Sequence, residues 1–259
     1  MCGIFGFALK KPMPLVRVLS VLEKLEVHQY PNEPKPVGGY GAGIAILDHD
    51  NNVICEKVGK VDVSPAKRLS EIVRTDRASV LMGHVRMPSP EFMETAGFQA
   101  TAQPYVAKCR SGLTVVSVHN GKVENYLEIR RKLVSRHVFE SEEVGLIDSE
   151  VVPHFFEEKL ANKPESEALN DFINGLDGSN TIGLLQTGKD VVFLHLVHKG
   201  KTRGLTVWTN NCGEVVFCSR KEPLIAEFKG ILADGRFGEK ISVPWNVEES
   251  LKLSLTVKM

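Results

Sequence analysis

Polar and apolar positions divide the chain into short elements. Apolar residues run from Ile4 to Leu9, which predicts a strand directly behind Cys2. From Leu15 to Leu25 the apolar spacing becomes helical, with Pro14 at the first turn, and the Pro31–Pro36 segment ends it as a loop. The runs 41–47 and 53–58 flank Asp48-His49-Asp50-Asn51-Asn52, a hairpin pattern. Ser64-Pro65 reads as a helix cap with proline at the first helical position, and 79–85 as a strand. Residues 87–104 have little periodicity and carry Pro88, Pro90 and Pro104; a loop that long is commonly a lid or binding loop. A strand over 113–119 stops at Asn120-Gly121. Helices are expected over 125–135, 147–160 and 165–175, then strands over 180–187, 190–198, 204–209 and 214–219, with a final run near 240–257. Strands, then helices, then strands again predict a layered structure with largely antiparallel sheets, and one domain over 1–259.

Composition narrows the function classes. The chain has 259 residues, and its 32 Lys and Arg balance 32 Asp and Glu, so no global charge draws it to nucleic acid or an anionic membrane. No stretch reaches the roughly 18 apolar residues of a membrane span. The N-terminus lacks the basic segment of a secretory signal, so a cytoplasmic location is expected. The five cysteines are widely spaced without a C-x-x-C pair, so neither a disulfide framework nor a cysteine-ligated zinc site is expected. His195 and His198, three apart on a strand, point to opposite faces and cannot share an ion; no metal and no cofactor are expected. Gly38 to Gly43 precedes a strand instead of opening a helix after one, which removes the phosphate-loop reading.

Four places carry candidate chemistry. Removal of Met1 would leave Cys2 with a thiol and a free α-amine, whose ordinary pKa of about 7.7–8.0 makes it a base suited to neutral pH. A buried strand cysteine is the plainer alternative. Arg86 closes Gly83-His84-Val85-Arg86 and opens the long loop, where its planar fork can meet a carboxylate; most such arginines form surface ion pairs. Asn120-Gly121 places a side-chain amide beside an accessible backbone N–H, two donors that can form an oxyanion hole, although Asn-Gly is also a common turn. Asp148, at the head of a helix, is either a cap or a partner for a ligand ammonium.

Together and in this order, Met1-Cys2-Gly3-Ile4-Phe5-Gly6, Gly83-His84-Val85-Arg86, His119-Asn120-Gly121 and Asp148-Ser149-Glu150-Val151 resemble the class II glutamine amidotransferase domains, which are N-terminal-nucleophile hydrolases. The resemblance runs to about residue 225 and includes Ala102-Gln103-Pro104-Tyr105. It implies an α+β fold, a four-layer αββα sandwich. It also implies that Cys2 is nucleophile and base, that Asn120 and Gly121 form the oxyanion hole, and that Arg86 and Asp148 hold the two charges of glutamine. Met87 and Pro88 would touch the substrate, and the loop 87–104 would close over it. Family members usually carry an aromatic residue where this chain has Met87. Residues 226–259 are too few for the synthase domain of larger relatives, so ammonia is expected to pass to a separate synthase subunit, with glutamate synthase one such home. The alternatives are a free-standing hydrolase of another small amide or γ-glutamyl compound, and a non-catalytic glutamine-binding regulatory subunit that keeps Met1.

Overall fold

The computed structural model describes residues 2–109, 112–133, 137–188, 192–233 and 235–257; Met1 lies outside them. Strand β1 (Gly3–Pro14) sits inside a seven-stranded sheet. Around it run β2 (Gly41–Leu47), β3 (Val53–Gly59), β4 (Arg77–Val85), β9 (Leu205–Thr209), β10 (Val215–Cys218) and β11 (Gly238–Val243), in the order β11-β9-β10-β1-β4-β2-β3. A second sheet has the order β12-β8-β7-β6-β5, from β5 (Tyr105–Ala107), β6 (Thr114–Gly121), β7 (Asn180–Thr187), β8 (Val192–Lys201) and β12 (Glu248–Val257). The strand pairs in both sheets are antiparallel.

Alternation along β1 explains the layers. Ile4 and Ala8 face the second sheet, in a core shared with Val116, Val118, Leu194 and Leu196. Phe5, Phe7 and Leu9 face the other way, against α1 (Leu15–Val27), α2 (Pro65–Ile72) and α6 (Lys221–Leu232). Phe7 meets Phe228 of α6 with ring centroids 5.6 Å apart. The outer face of the second sheet is covered by α3 (Tyr126–Lys132), α4 (Val151–Leu160) and α5 (Glu165–Gly175) through Val115, Ile182, Leu184 and Val197. A strand buried on both faces has no position for a polar side chain, which is why Ile4 to Leu9 is continuously apolar. The result is the expected α+β sandwich of helices, two sheets and helices.

Most predicted elements are present, Ser64 caps α2 by accepting from Lys67 N at 3.1 Å, one expectation is corrected, and two features are added. The final run is two strands in different sheets, β11 and β12, because Pro244 and the left-handed backbone of Asn246 (φ 61°) turn the chain between them. Helix α6 was absent from the sequence reading, although Leu224 and Phe228 share its buried face. The long loop is ordered by 3₁₀ turns at Pro90–Thr95 and Gln99–Thr101. Positions 134–135 and 190–191, at the ends of a predicted helix and a predicted strand, lie outside the described residues.

Candidate active site

Register brings the first candidate residues together. Gly3 pairs with Val85, so Cys2 lies one step beyond β1 where Arg86 lies one step beyond β4. The second sheet contributes Asn120 and Gly121 from the end of β6. Cys2 backbone N donates to Asn120 Oδ1 at 3.1 Å, joining the two sheets at the site, and Met87 N donates to Cys2 Sγ at 3.4 Å. Cys2, Arg86, Met87, Pro88, Gly121 and Asp148 all line one cavity of about 320 Å³.

The donors at this cavity are fixed in place. Asn120 is fully buried, and its Nδ2 has no hydrogen-bond partner among the described residues while its Oδ1 is engaged. An orphaned donor of that kind costs about 1–3 kcal/mol in a folded protein, so its persistence points to a group that arrives later. Gly121 has φ 153°, and a Cβ there would stand 2.1 Å from Ser179 O, so only glycine fits. His119 fixes the end of β6. Its ring joins Ser149 Oγ at 2.8 Å to Asn180 Oδ1 at 2.9 Å, and Gln103 brackets its backbone, accepting from His119 N at 2.7 Å and donating to His119 O at 3.1 Å.

The two charged candidates are buried as well. Arg86 is 4% exposed, and its guanidinium is held by Thr101 Oγ1, by Thr95 Oγ1 at 3.0 Å and by Thr95 O at 3.4 Å. None of these is a carboxylate, so among the described residues no ion pair neutralises the guanidinium. Asp148 is 5% exposed and opens a 3₁₀ turn; its Oδ2 accepts from Val123 N at 2.9 Å. Burial raises the Asp148 carboxyl above the ordinary carboxylate range, with His119 and the backbone donors opposing. Burial, helped by Arg86, holds His84 well below the usual imidazole range, so it is neutral. Sequence reasoning missed Thr95, Thr101 and Ser149 as supports. The two threonines lie in the aperiodic loop, and only its folding back brings them to Arg86.

The same sandwich occurs in solved structures. Two solved structures share it at low identity: an allosteric regulatory enzyme of purine biosynthesis (TM-score 0.63, 17% identity, covering 98% of this chain and 46% of that one) and the glutamine phosphoribosylpyrophosphate amidotransferase from B. subtilis (TM-score 0.62, 16% identity, 97% and 49%). Residues 93–226 match the family model described as a glutamine amidotransferase domain. The chain belongs to that family. Among curated proteins it is similar to glutamine–fructose-6-phosphate aminotransferase [isomerizing] from Pyrobaculum aerophilum, 34% identical over 192 residues, 71% of this chain and 28% of that protein. The protein of the same name from Sulfolobus acidocaldarius is 28% identical over 202 residues, 74% of this chain and 30% of that one. The chain thus spans under a third of these relatives' length.

Proposed function

We propose that this chain hydrolyses L-glutamine to glutamate and ammonia through a γ-glutamyl thioester on Cys2. One observation carries the reading: a single cavity joins the thiol of Cys2, a guanidinium with no carboxylate against it among the described residues, and the buried carboxylate of Asp148, while Asn120, whose Nδ2 has no partner among those residues, is bonded to Cys2 N. Free glutamine presents the complement, a carboxylate, an ammonium and an uncharged amide at the far end of the side chain. A ligand with only one of those charges would leave Arg86 or Asp148 desolvated and unpaired, at a cost of about 3–5 kcal/mol.

With Met1 removed, the α-amine of Cys2 donates one N–H to Asn120 Oδ1, which keeps its lone pair free for the thiol proton. Sγ attacks the amide carbon, and the carbonyl oxygen becomes an oxyanion held by Asn120 Nδ2 and Gly121 N–H. The protonated amine returns its proton to the leaving nitrogen as the tetrahedral intermediate collapses to the thioester. Water, deprotonated by the same amine, then adds to the thioester carbonyl and releases glutamate and Cys2. Met87 N–H stabilises negative charge on Sγ, and Met87 and Pro88 form the wall of the cavity near the sulfur. Ammonia then passes to an acceptor synthase, on a separate subunit in this reading. The relatives' name, glutamine–fructose-6-phosphate aminotransferase, favours an amination partner of that kind over glutamate synthase.

The test measures glutamate release from glutamine by wild type and Cys2→Ala, with the N-terminus established by mass spectrometry. Glutamine turnover by protein starting at Cys2, and none by Cys2→Ala, is expected. Equal rates, or Met1 retained in active protein, end the proposal. A panel of γ-glutamyl compounds run alongside separates free glutamine from other amides.

A further inference from the structure

We propose a second site, for a zinc ion, formed by Cys109, His137 and His154 on the helix-covered face of the second sheet. Cys109 follows β5, His137 lies in the connection from α3 to α4, and His154 and Glu157 are one turn apart on α4. The ligand atoms of Cys109, His137 and His154 lie within 4.8 Å of one another. Cys109 Sγ is 3.7 Å from His154 Nδ1, His137 Nδ1 is 3.1 Å from His154 Nδ1, and His137 Nδ1 is 3.5 Å from Glu157 Oε2. Tetrahedral zinc with bonds of about 2.0–2.3 Å sets neighbouring ligands roughly 3.3–3.6 Å apart, close to these spacings.

The surrounding contacts orient the same atoms inward. His137 Nε2 meets Glu158 Oε2 at 3.2 Å, so a proton on Nε2 leaves the Nδ1 lone pair directed at Glu157 Oε2 and His154 Nδ1. Glu157 Oε1 accepts from Cys109 N at 2.9 Å, which fixes the backbone that carries the thiol. Phe139 lies over the His154 ring at 4.2 Å between centroids. A thiolate and two imidazoles suit zinc. On binding, the ion displaces the Cys109 thiol proton to solvent. Two of the three ligands are buried histidines, and none of the three lines the cavity at Cys2, so the site stands apart from it. It ties the 137–141 segment to α4; Glu140 and Ser141 in that segment hold the Glu150 carboxylate, two residues after Asp148. The proposal departs from the sequence expectation of no metal, because its ligands lie far apart in the chain.

The experiment uses the full chain in a Cys2→Ser background, which removes the N-terminal thiol as a competing chelator. After zinc loading and gel filtration, mass spectrometry is expected to find about one zinc per chain, falling at least tenfold in Cys109→Ala/His154→Ala. Cobalt(II) loading should give an intense visible tetrahedral spectrum with a thiolate charge-transfer band that Cys109→Ser abolishes. Glu158→Gln should bind one zinc about 10–100-fold more weakly in competition with a chromophoric chelator. The proposal is overturned if the parent retains no zinc, meaning that a proton alone serves the cluster, or if the cobalt spectrum is unchanged by Cys109→Ser. The cobalt spectrum of the parent decides the matter even if the variants fail to fold.

Discussion

Asn120→Ala tests the oxyanion assignment most directly. Asn120 does two things at once: Oδ1 accepts from Cys2 N, and Nδ2 stands buried without a partner among the described residues. Losing an oxyanion donor costs about 2.7–4 kcal/mol in transition-state stabilisation. Losing the hydrogen bond that orients Cys2 adds about 0.5–1.5 kcal/mol. Together these predict a fall in kcat/KM of roughly 200- to 10,000-fold, carried by kcat because the oxyanion exists only after attack. Stability should move the other way or hardly at all. The substitution removes a buried donor whose desolvation costs about 1–3 kcal/mol, against the lost bond to Cys2. Steady-state glutamate release gives the first quantity, and urea unfolding of the substrate-free protein gives the second. A kcat reduced less than tenfold, with the N-terminal cysteine verified, would refute the reasoning. A raised KM at constant kcat would make Asn120 a ground-state binding group instead.

Three further outcomes follow from the same geometry. Asp148→Asn should weaken glutamine use by about 3–5 kcal/mol in kcat/KM, since it leaves a desolvated ammonium unpaired. Its pH behaviour has a definite sign. Burial raises the folded carboxyl pKa, so the folded chain holds a proton that the unfolded chain has already released, and stability is lost as pH rises through that window. Asp148→Asn should therefore melt higher than wild type at neutral pH, with the gap closing on acidification, while wild-type kcat/KM should fall on the acid side at a higher pH than an ordinary aspartate dictates. Arg86→Lys keeps the charge but loses the planar fork held by Thr95 and Thr101, so KM for glutamine should rise at least tenfold in kinetics at fixed ionic strength. Gly121→Ala places a Cβ against Ser179 O at a backbone angle unsuited to it, and should cost about 1–3 kcal/mol by urea unfolding together with most of the activity.

Some of this architecture is readable in one dimension because its cause is local. The continuous apolar run of β1 reflects burial on both faces, and the alternating Leu251, Leu253 and Leu255 of β12 reflect a strand with one face on the core. The order Cys2, Arg86, Asn120-Gly121, Asp148 is likewise visible, because each residue ends or begins an element whose pattern can be read beside it. Helix α6 was missed although its apolar positions are local, and the splitting of the last run between two sheets was missed because strand partners are not encoded in a strand's own pattern.

What the amino-acid order determined alone is therefore the set of elements and the chemical groups placed at their ends. Tertiary structure decided which ends meet. The Gly3–Val85 register sets Cys2 beside Arg86, two sheets stacked through Ile4 and Val118 bring Asn120 to the sulfur, and a folded-back loop delivers Thr95 and Thr101 to the guanidinium. Cys109, His137 and His154 become neighbours in the same way. The physical reason is that backbone propensity and side-chain periodicity act over a few residues, whereas burial, desolvation and hydrogen bonding at a site are set by residues brought together only when the sheets and helices pack.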